Sequence, residues 1–122
     1  MTAIVNNLQS PLGNKYIEDS DVTAIVQDNV TGTNSTIYYI DVDNSNNTST
    51  AVYFKIWDNA DPDISADDPD FKIKVGGGKR IKLYIAEGIP TTTGISYGCV
   101  TGSASGIGTS PTNDVSIIMI TS

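Results

Sequence analysis

Apolar and polar residues alternate with a period of two along most of this chain, and no apolar period of 3.6 lasts for ten residues. The clearest case is Thr50 to Asp58, where apolar side chains fall on one face and larger mixed side chains fall on the other. The pattern predicts a β-strand with both faces covered. The two sets are Val52, Phe54 and Ile56, and Tyr53, Lys55 and Trp57.

Alternation on both sides of a glycine-rich turn predicts a hairpin. Apolar positions alternate with Lys72 and Lys74 before Gly76 to Gly78, and with Arg80 and Lys82 after it. Such a hairpin has one buried and one solvated face, and Gly88 with Pro90 would close it.

Further β-branched or alternating runs bring the count to seven or eight strands. These runs are Asp21 to Gln27, Ser35 to Val42, Gly94 to Thr101 and Asp114 to Thr121. The last is apolar on both faces over Ile117 to Ile120, so we expect it to be central or covered by another chain. Strand spacings of roughly 10 to 18 residues predict an all-β fold, an antiparallel β-sandwich of jelly-roll or Ig-like type. We expect one sandwich domain over 21–122, preceded by an N-terminal arm or short strand over 1–20.

Composition supports the all-β prediction and narrows the function. Ile, Val and Thr supply 39 of the 122 residues and Leu only 3, which reverses the usual preference of helices. The 14 acidic residues outnumber the 7 basic ones, for a net charge of -7, and this argues against a nucleic-acid partner. Residues 1–12 have no signal-peptide pattern and no run is long enough to span a membrane, so we expect a soluble protein without a membrane partner.

The inventory of reactive side chains predicts a protein that is not an enzyme. The chain has no His, and Cys99 is its single cysteine, within a strand pattern that predicts a buried thiol. Asp58, Glu87 and Asp114 are acids near predicted strand ends, but nothing in the sequence pairs them for hydrolysis. We therefore expect no catalytic residue, no cofactor and no metal site.

The stretch from Asp58 to Asp70, the acidic loop, allows two interpretations. Its six carboxylates could collect a calcium ion, although the spacing does not match a helix-loop-helix calcium site. The favoured interpretation is a solvated loop that keeps a sheet edge from pairing. A second oxygen-rich patch is a weaker candidate for an ion site than the acidic loop. Its members are Asp41, Asp43, Asn44 and Ser45.

Residues 72 to 82, the basic run, hold five of the seven basic side chains. Projected from one hairpin face, they would suit an acidic surface on a partner, and the alternative is a solvated outer face. Two aromatic residues on the outward face of the Thr50 to Asp58 strand could stack on a sugar ring, bury in a subunit contact or pack under the N-terminal arm. The candidate partner-binding residues are Lys72, Lys74, Lys79, Arg80, Lys82, Tyr53 and Trp57.

Several segments together resemble a class of small virion proteins of tailed bacteriophages. They are Val52 to Asp58, a loop with Pro and Asp, a hairpin, Gly88-Ile89-Pro90, Gly94 to Tyr97, Val100-Thr101-Gly102 and Asn113 to Ile117. The resemblance covers roughly Asp41 to Ser122 and implies a β-sandwich structural protein. Capsid decoration, or cement, is the role that it implies.

This resemblance implies a location on the capsid exterior after synthesis in the host cytoplasm. It further implies that the chain binds the major capsid protein, stabilises the shell and forms a homotrimer. The alternative is a module of the phage tail or fibre that binds host-surface carbohydrate through Tyr53 or Trp57.

Overall fold

The computed structural model describes residues 15–104 and 108–122, and every regular element in these ranges is a β-strand. None of the described residues forms a helix long and apolar enough to cross a membrane. The strands are β1 (Lys15–Asp19), β2 (Thr36–Asp43), β3 (Val52–Asp58), β4 (Phe71–Val75), β5 (Arg80–Pro90), β6 (Ile95–Val100) and β7 (Ser116–Thr121).

The strands form two antiparallel sheets that pack face to face. The four-stranded sheet has the order β1-β7-β2-β5, and the three-stranded sheet has the order β4-β3-β6. The prediction of an antiparallel β-sandwich is therefore confirmed, with seven strands in the described part of the chain. β7 lies inside its sheet, between β1 and β2, as its two apolar faces predict.

The core lies between the two sheets. It consists of the side chains at every second position of the strands, those that face inward. In β3 these are the three apolar residues that the sequence pattern assigned to one face, and all are at most 2% exposed. Aromatic packing joins β3 to β6, since the rings of Phe54 and Tyr97 lie 5.7 Å apart. The buried aliphatic residues on the facing sheet are Ile37, Ile40, Val42, Ile117 and Met119.

The predicted hairpin over the glycine-rich turn is wrong, because β4 and β5 belong to different sheets. Gly76 to Gly78 carry the chain across the end of the sandwich from one sheet to the other. Alternation is the same whether the next strand pairs with its neighbour or crosses the core, so the pattern could not separate the two cases.

Two further boundaries differ from prediction. Residues 21–27 form no strand: Thr23 O accepts from Cys99 N at 2.9 Å, Gln27 makes an isolated bridge to Tyr97, and Ile25 is exposed. β5 continues past Gly88, whose φ is +77° and where a Cβ would collide with the side chains of Thr36 and Tyr38. Residues 1–20 were predicted as an N-terminal arm or short strand; within them 15–19 form the strand β1, and 1–14 lie outside the described residues.

Candidate functional site: the outer sheet faces

The chain's own loops cover the outer face of the three-stranded sheet over most of β3 and β6, whereas Lys72 and Lys74 of β4 stay exposed. Trp57 is 1% exposed, and its Nε1 donates to the carbonyl of Asp67 at 3.0 Å, which ties the acidic loop over the sheet. Ile64 of the same loop lies against Gly98, where a Cβ would meet Ile64 Cδ1 at 3.3 Å. A sugar ring or partner therefore cannot stack on Trp57 in this fold, contrary to the prediction for that residue.

Two lysines hold the loop after β6 on this covered face. Lys55 is fully buried and its Nζ donates to Ala104 O at 3.0 Å, and Lys72 Nζ donates to Ser103 O at 3.0 Å. Burial lowers the pKa of the Lys55 ammonium, and the nearby charge of Lys72 acts in the same direction. Backbone carbonyls are thus the hydrogen-bond partners of these two charges.

The outer face of the four-stranded sheet, which we term the open face, is exposed by contrast. One line of directly paired residues crosses all four strands: Tyr16 pairs with Ile120, Ile120 with Tyr39, and Tyr39 with Tyr84. Tyr84 is 73% and Tyr16 is 59% exposed, and the rings of Tyr39 and Tyr84 lie 4.9 Å apart. These four residues are the apolar row, and exposed apolar surface of this kind marks interaction sites.

A second line of paired residues, the charged row, lies beside the apolar row. It consists of Glu18, Ile118, Asp41 and Lys82, in strand order across the sheet. Asp41 is 3% exposed because Arg80 covers it, with Nε to Oδ1 at 2.9 Å and Nη2 to Oδ2 at 2.7 Å. The hydrogen bonds from Arg80 lower the pKa of the Asp41 carboxyl although burial opposes its ionisation.

Glu18 and Lys82 are the exposed ends of the charged row. Neither side chain makes a hydrogen bond or an ion pair with another described residue, although the charge of Lys82, which is paired with Asp41 across β2 and β5, helps to lower the pKa of the Asp41 carboxyl. They lie on the two edge strands, β1 and β5, so three strand spacings separate them, or about 14 Å. The open face therefore has a negative edge and a positive edge.

The basic run does not form one surface, and this part of the prediction is wrong. Lys72 and Lys74 both belong to β4. Lys74 lies on the outer face of the three-stranded sheet, beside the half-buried Tyr53 of β3. Arg80 and Lys82 lie on the opposite side of the sandwich. The exposed Lys79 lies in the turn that joins β4 to β5. The error follows from the hairpin, since a crossing between sheets sends its two strands to opposite faces.

The carboxylates of the acidic loop shape the loop's backbone. Asp63 Oδ1 accepts from Ser65 N at 2.9 Å, Asp67 Oδ2 from Asp63 N at 2.8 Å, and Asp70 Oδ2 from Asp58 N at 2.7 Å. In the described ranges 15–104 and 108–122, no three carboxylate, His or Cys groups lie where they could hold a metal ion. The hydrogen bonds of Asp63, Asp67 and Asp70 therefore give these carboxylates a structural role in the loop.

A network of asparagines holds together the end of the sandwich where the β2–β3 loop, the turn between β4 and β5 and the segment before β7 meet. Asn44 is fully buried, and its Nδ2 donates to Thr50 O at 2.9 Å and to Gly76 O at 3.1 Å. Asn47 Nδ2 donates to Asn44 Oδ1 at 2.8 Å and to Asn113 O at 3.0 Å. The oxygen-rich patch of the sequence thus contributes to a structural network that joins three loops.

The single cysteine has the environment that its strand pattern predicts. Cys99 is fully buried on the inner face of β6, and burial raises the pKa of its thiol to about 12. A thiol in this state behaves as a small apolar group.

Sequence reasoning missed the apolar row. Alternation gave the outward direction of Tyr84 in β5, but the four members come from strands far apart in the chain. Only the register of the sheet brings them into line. Comparison of the chain with protein-family models, with curated proteins and with solved structures gave no match.

Proposed function

We propose that this chain is a non-enzymatic structural protein of a tailed-phage virion. In this proposal it is a decoration protein on the capsid exterior that binds the major capsid protein and stabilises the shell. The segments that resemble phage virion proteins are the reason for this choice among structural roles.

The observation that carries the proposal is the contrast between the two outer sheet faces. The chain covers most of β3 and β6 in the three-stranded sheet with its own loops, whereas Tyr84 and Tyr16 leave the open face with exposed aromatic surface. Aromatic side chains are enriched where proteins contact proteins. A small sandwich with one such face is suited to assembly.

The roles of the polar side chains support the same proposal. Asp41, Asp58 and Asp63 accept hydrogen bonds that hold strands and loops, and Lys55 and Lys72 donate to backbone carbonyls. These charged groups therefore stabilise the fold. A protein that reinforces a shell needs a stable fold and no reactive side chains.

Contact with the shell is assigned in this proposal to the basic side chains away from the open face. Lys74 and Lys79 are exposed, and neither donates a side-chain hydrogen bond to a described residue. Because the chain as a whole carries a net charge of -7, these lysines are local positive features on an acidic molecule. An acidic patch on the capsid surface would attract them.

The test is cosedimentation of the purified protein with capsid shells of the phage that encodes it. We expect saturable binding, and we expect particles that lack the protein to lose their DNA at a lower temperature. Charge reversal at Lys74 and Lys79 should weaken binding about tenfold or more, and the matched variant Lys74→Arg/Lys79→Arg should bind normally. Shells that bind none of the protein, with particle stability unchanged by its removal, would contradict the proposal.

A further inference from the structure

We infer that the open face is the docking site for a second copy of this chain. The arrangement is two-fold: each apolar row packs on the apolar row of the other copy, and Glu18 of each faces Lys82 of the partner subunit. This inference concerns the free protein and goes beyond the proposed function, since it requires no capsid.

The order of the strands makes the open face complementary to itself. Consider a two-fold axis in the plane of contact, parallel to the strands and midway between the central strands β7 and β2. Rotation about it places β1 over β5 of the partner subunit and β7 over β2 of the partner subunit, and it keeps each row at the same height. An interface of this kind uses the same patch twice, as in most symmetric dimers.

The apolar row matches itself under this rotation. Tyr16 of one copy then lies over Tyr84 of the partner subunit, and Ile120 lies over Tyr39 of the partner subunit. Sheets that pack face to face lie about 10 Å apart, a distance that large side chains from both sides fill. Two exposed tyrosines on each copy would lose their contact with water.

The charged row also matches itself, with opposite signs. Glu18 on β1 and Lys82 on β5 are too far apart to pair within one chain, but the rotation brings each opposite its counterpart in the other copy. Asp41, at the centre of the row, is already neutralised by Arg80. A shift of one copy along the sheet would lose both matches, so charge selects the register.

The three-stranded sheet offers no comparable surface among the described residues. Trp57 and Lys55 are buried beneath its loops, and Ile64 covers Gly98. The open face is therefore the sheet face that a second copy can approach.

The test is a charge swap measured by sedimentation equilibrium of the full chain over a range of concentrations. We expect a monomer–dimer equilibrium, weakened about tenfold or more by Glu18→Lys alone and by Lys82→Glu alone. The double variant should recover the wild-type dissociation constant to within about threefold. Since the two side chains cannot meet within one chain, only a contact between copies explains such a recovery.

Two controls separate this contact from general effects. Lys74→Glu makes the same change in net charge as Lys82→Glu but lies on the other sheet, so it should leave association unchanged. Tyr84→Ser should weaken association while lowering the melting temperature of the monomer only slightly, because Tyr84 is 73% exposed and the substitution removes its ring contact with Tyr39. Circular dichroism melts of every variant identify any that fail to fold.

Several outcomes would overturn the inference. They are a monomer at all concentrations up to about millimolar, a trimer that ignores the swap, and a double variant as weak as the single ones. Association that survives every substitution but is lost on removing residues 1–14 would assign the contact to that segment instead. None of these results bears on shell binding, so the two proposals can fail separately.

Discussion

Asp58 holds the loop that follows β5 through a single carboxylate. Its Oδ2 accepts from Thr92 N at 2.8 Å, and its Oδ1 accepts from Thr93 N at 2.8 Å and from Gly94 N at 3.3 Å. Burial opposes ionisation of this carboxyl, but the three backbone donors outweigh it and lower its pKa. The end of β3 and the start of β6 are joined by this contact.

Replacing Asp58 by Asn should therefore destabilise the fold by about 1–3 kcal/mol at pH 7, because the amide turns a donor toward backbone donors. The folded-state pKa of Asp58 lies below the unfolded value of about 3.9, so its stabilisation is complete above that value and is lost as pH falls through the folded-state pKa. Urea unfolding from pH 7 to pH 2.5 should show the gap between wild type and variant closing at the acid end.

The matched control is Asp61→Asn, a substitution in the acidic loop three residues after Asp58. The carboxylate of Asp61 accepts no hydrogen bond from another described residue, so its replacement should change stability by less than about 0.5 kcal/mol. A gap for Asp58→Asn that stays constant at every pH would show that the carboxylate charge is not what holds the loop.

At the scale of elements, the turn between β4 and β5 shows how tightly the crossing between the sheets is packed. Gly77 lies against the backbone of the segment before β3, where a Cβ would sit 2.7 Å from Thr50 N and 2.8 Å from Ser49 C. Backbone atoms cannot move aside as a flexible side chain can. Gly78 adds a φ of +72°, which favours glycine.

Gly77→Ala should accordingly lower the free energy of unfolding by about 1–3 kcal/mol, the usual cost of forcing atoms into a packed site. The neighbouring variant Gly76→Ala is the control, since its Cβ would meet only Lys79 Cγ at an ordinary 3.4 Å. Thermal and urea unfolding of both variants measure the difference. Equal stability of the two would mean that the turn can move away from the Ser49 and Thr50 backbone.

Alternation predicted the strands themselves well, because burial of one face imposes it within a strand. For β3, both faces and their coverage were predicted, and for β7 a central place in the sheet was one of the two predicted alternatives. The partner of each strand was not, since pairing joins distant segments, as the crossing after β4 shows. Residues 21–27 are rich in β-branched side chains, but their hydrogen bonds to β6 are spread over too irregular a path to form a strand.

For the molecule as a whole, the candidate site was the least predictable feature. Tyr16, Tyr39 and Tyr84 lie in three strands, and no local pattern states that they form one line. The basic run was visible in the sequence. The prediction that its side chains share one surface depended on a hairpin that the fold does not contain. Charge along a chain therefore predicted poorly how charge is distributed over the surface.

The thiol of Cys99 can report on the opening of the whole sandwich. At pH 8 its pKa of about 12, against about 8.5 for a free cysteine, reduces the reactive thiolate roughly a thousandfold, and burial blocks the reagent as well. Iodoacetamide should therefore label the folded protein at least about a thousandfold more slowly than the protein in urea, as followed by mass spectrometry.

A second cysteine at an exposed position provides the internal reference. The variant Thr48→Cys should take up one label at once and the second only on unfolding. Rapid uptake of both labels in native buffer would show that the sheets separate far more often than their packing indicates.

The pairing of β1 has a consequence for synthesis on the ribosome. Its ladder partner is β7, so the earliest described strand hydrogen-bonds with the latest, and β2 lies next to β7 and β5. The four-stranded sheet therefore cannot close until the last strand has left the exit tunnel. Until then the nascent chain exposes unpaired, Ile-rich strand edges, which favours slow folding and makes chaperone contact valuable during translation.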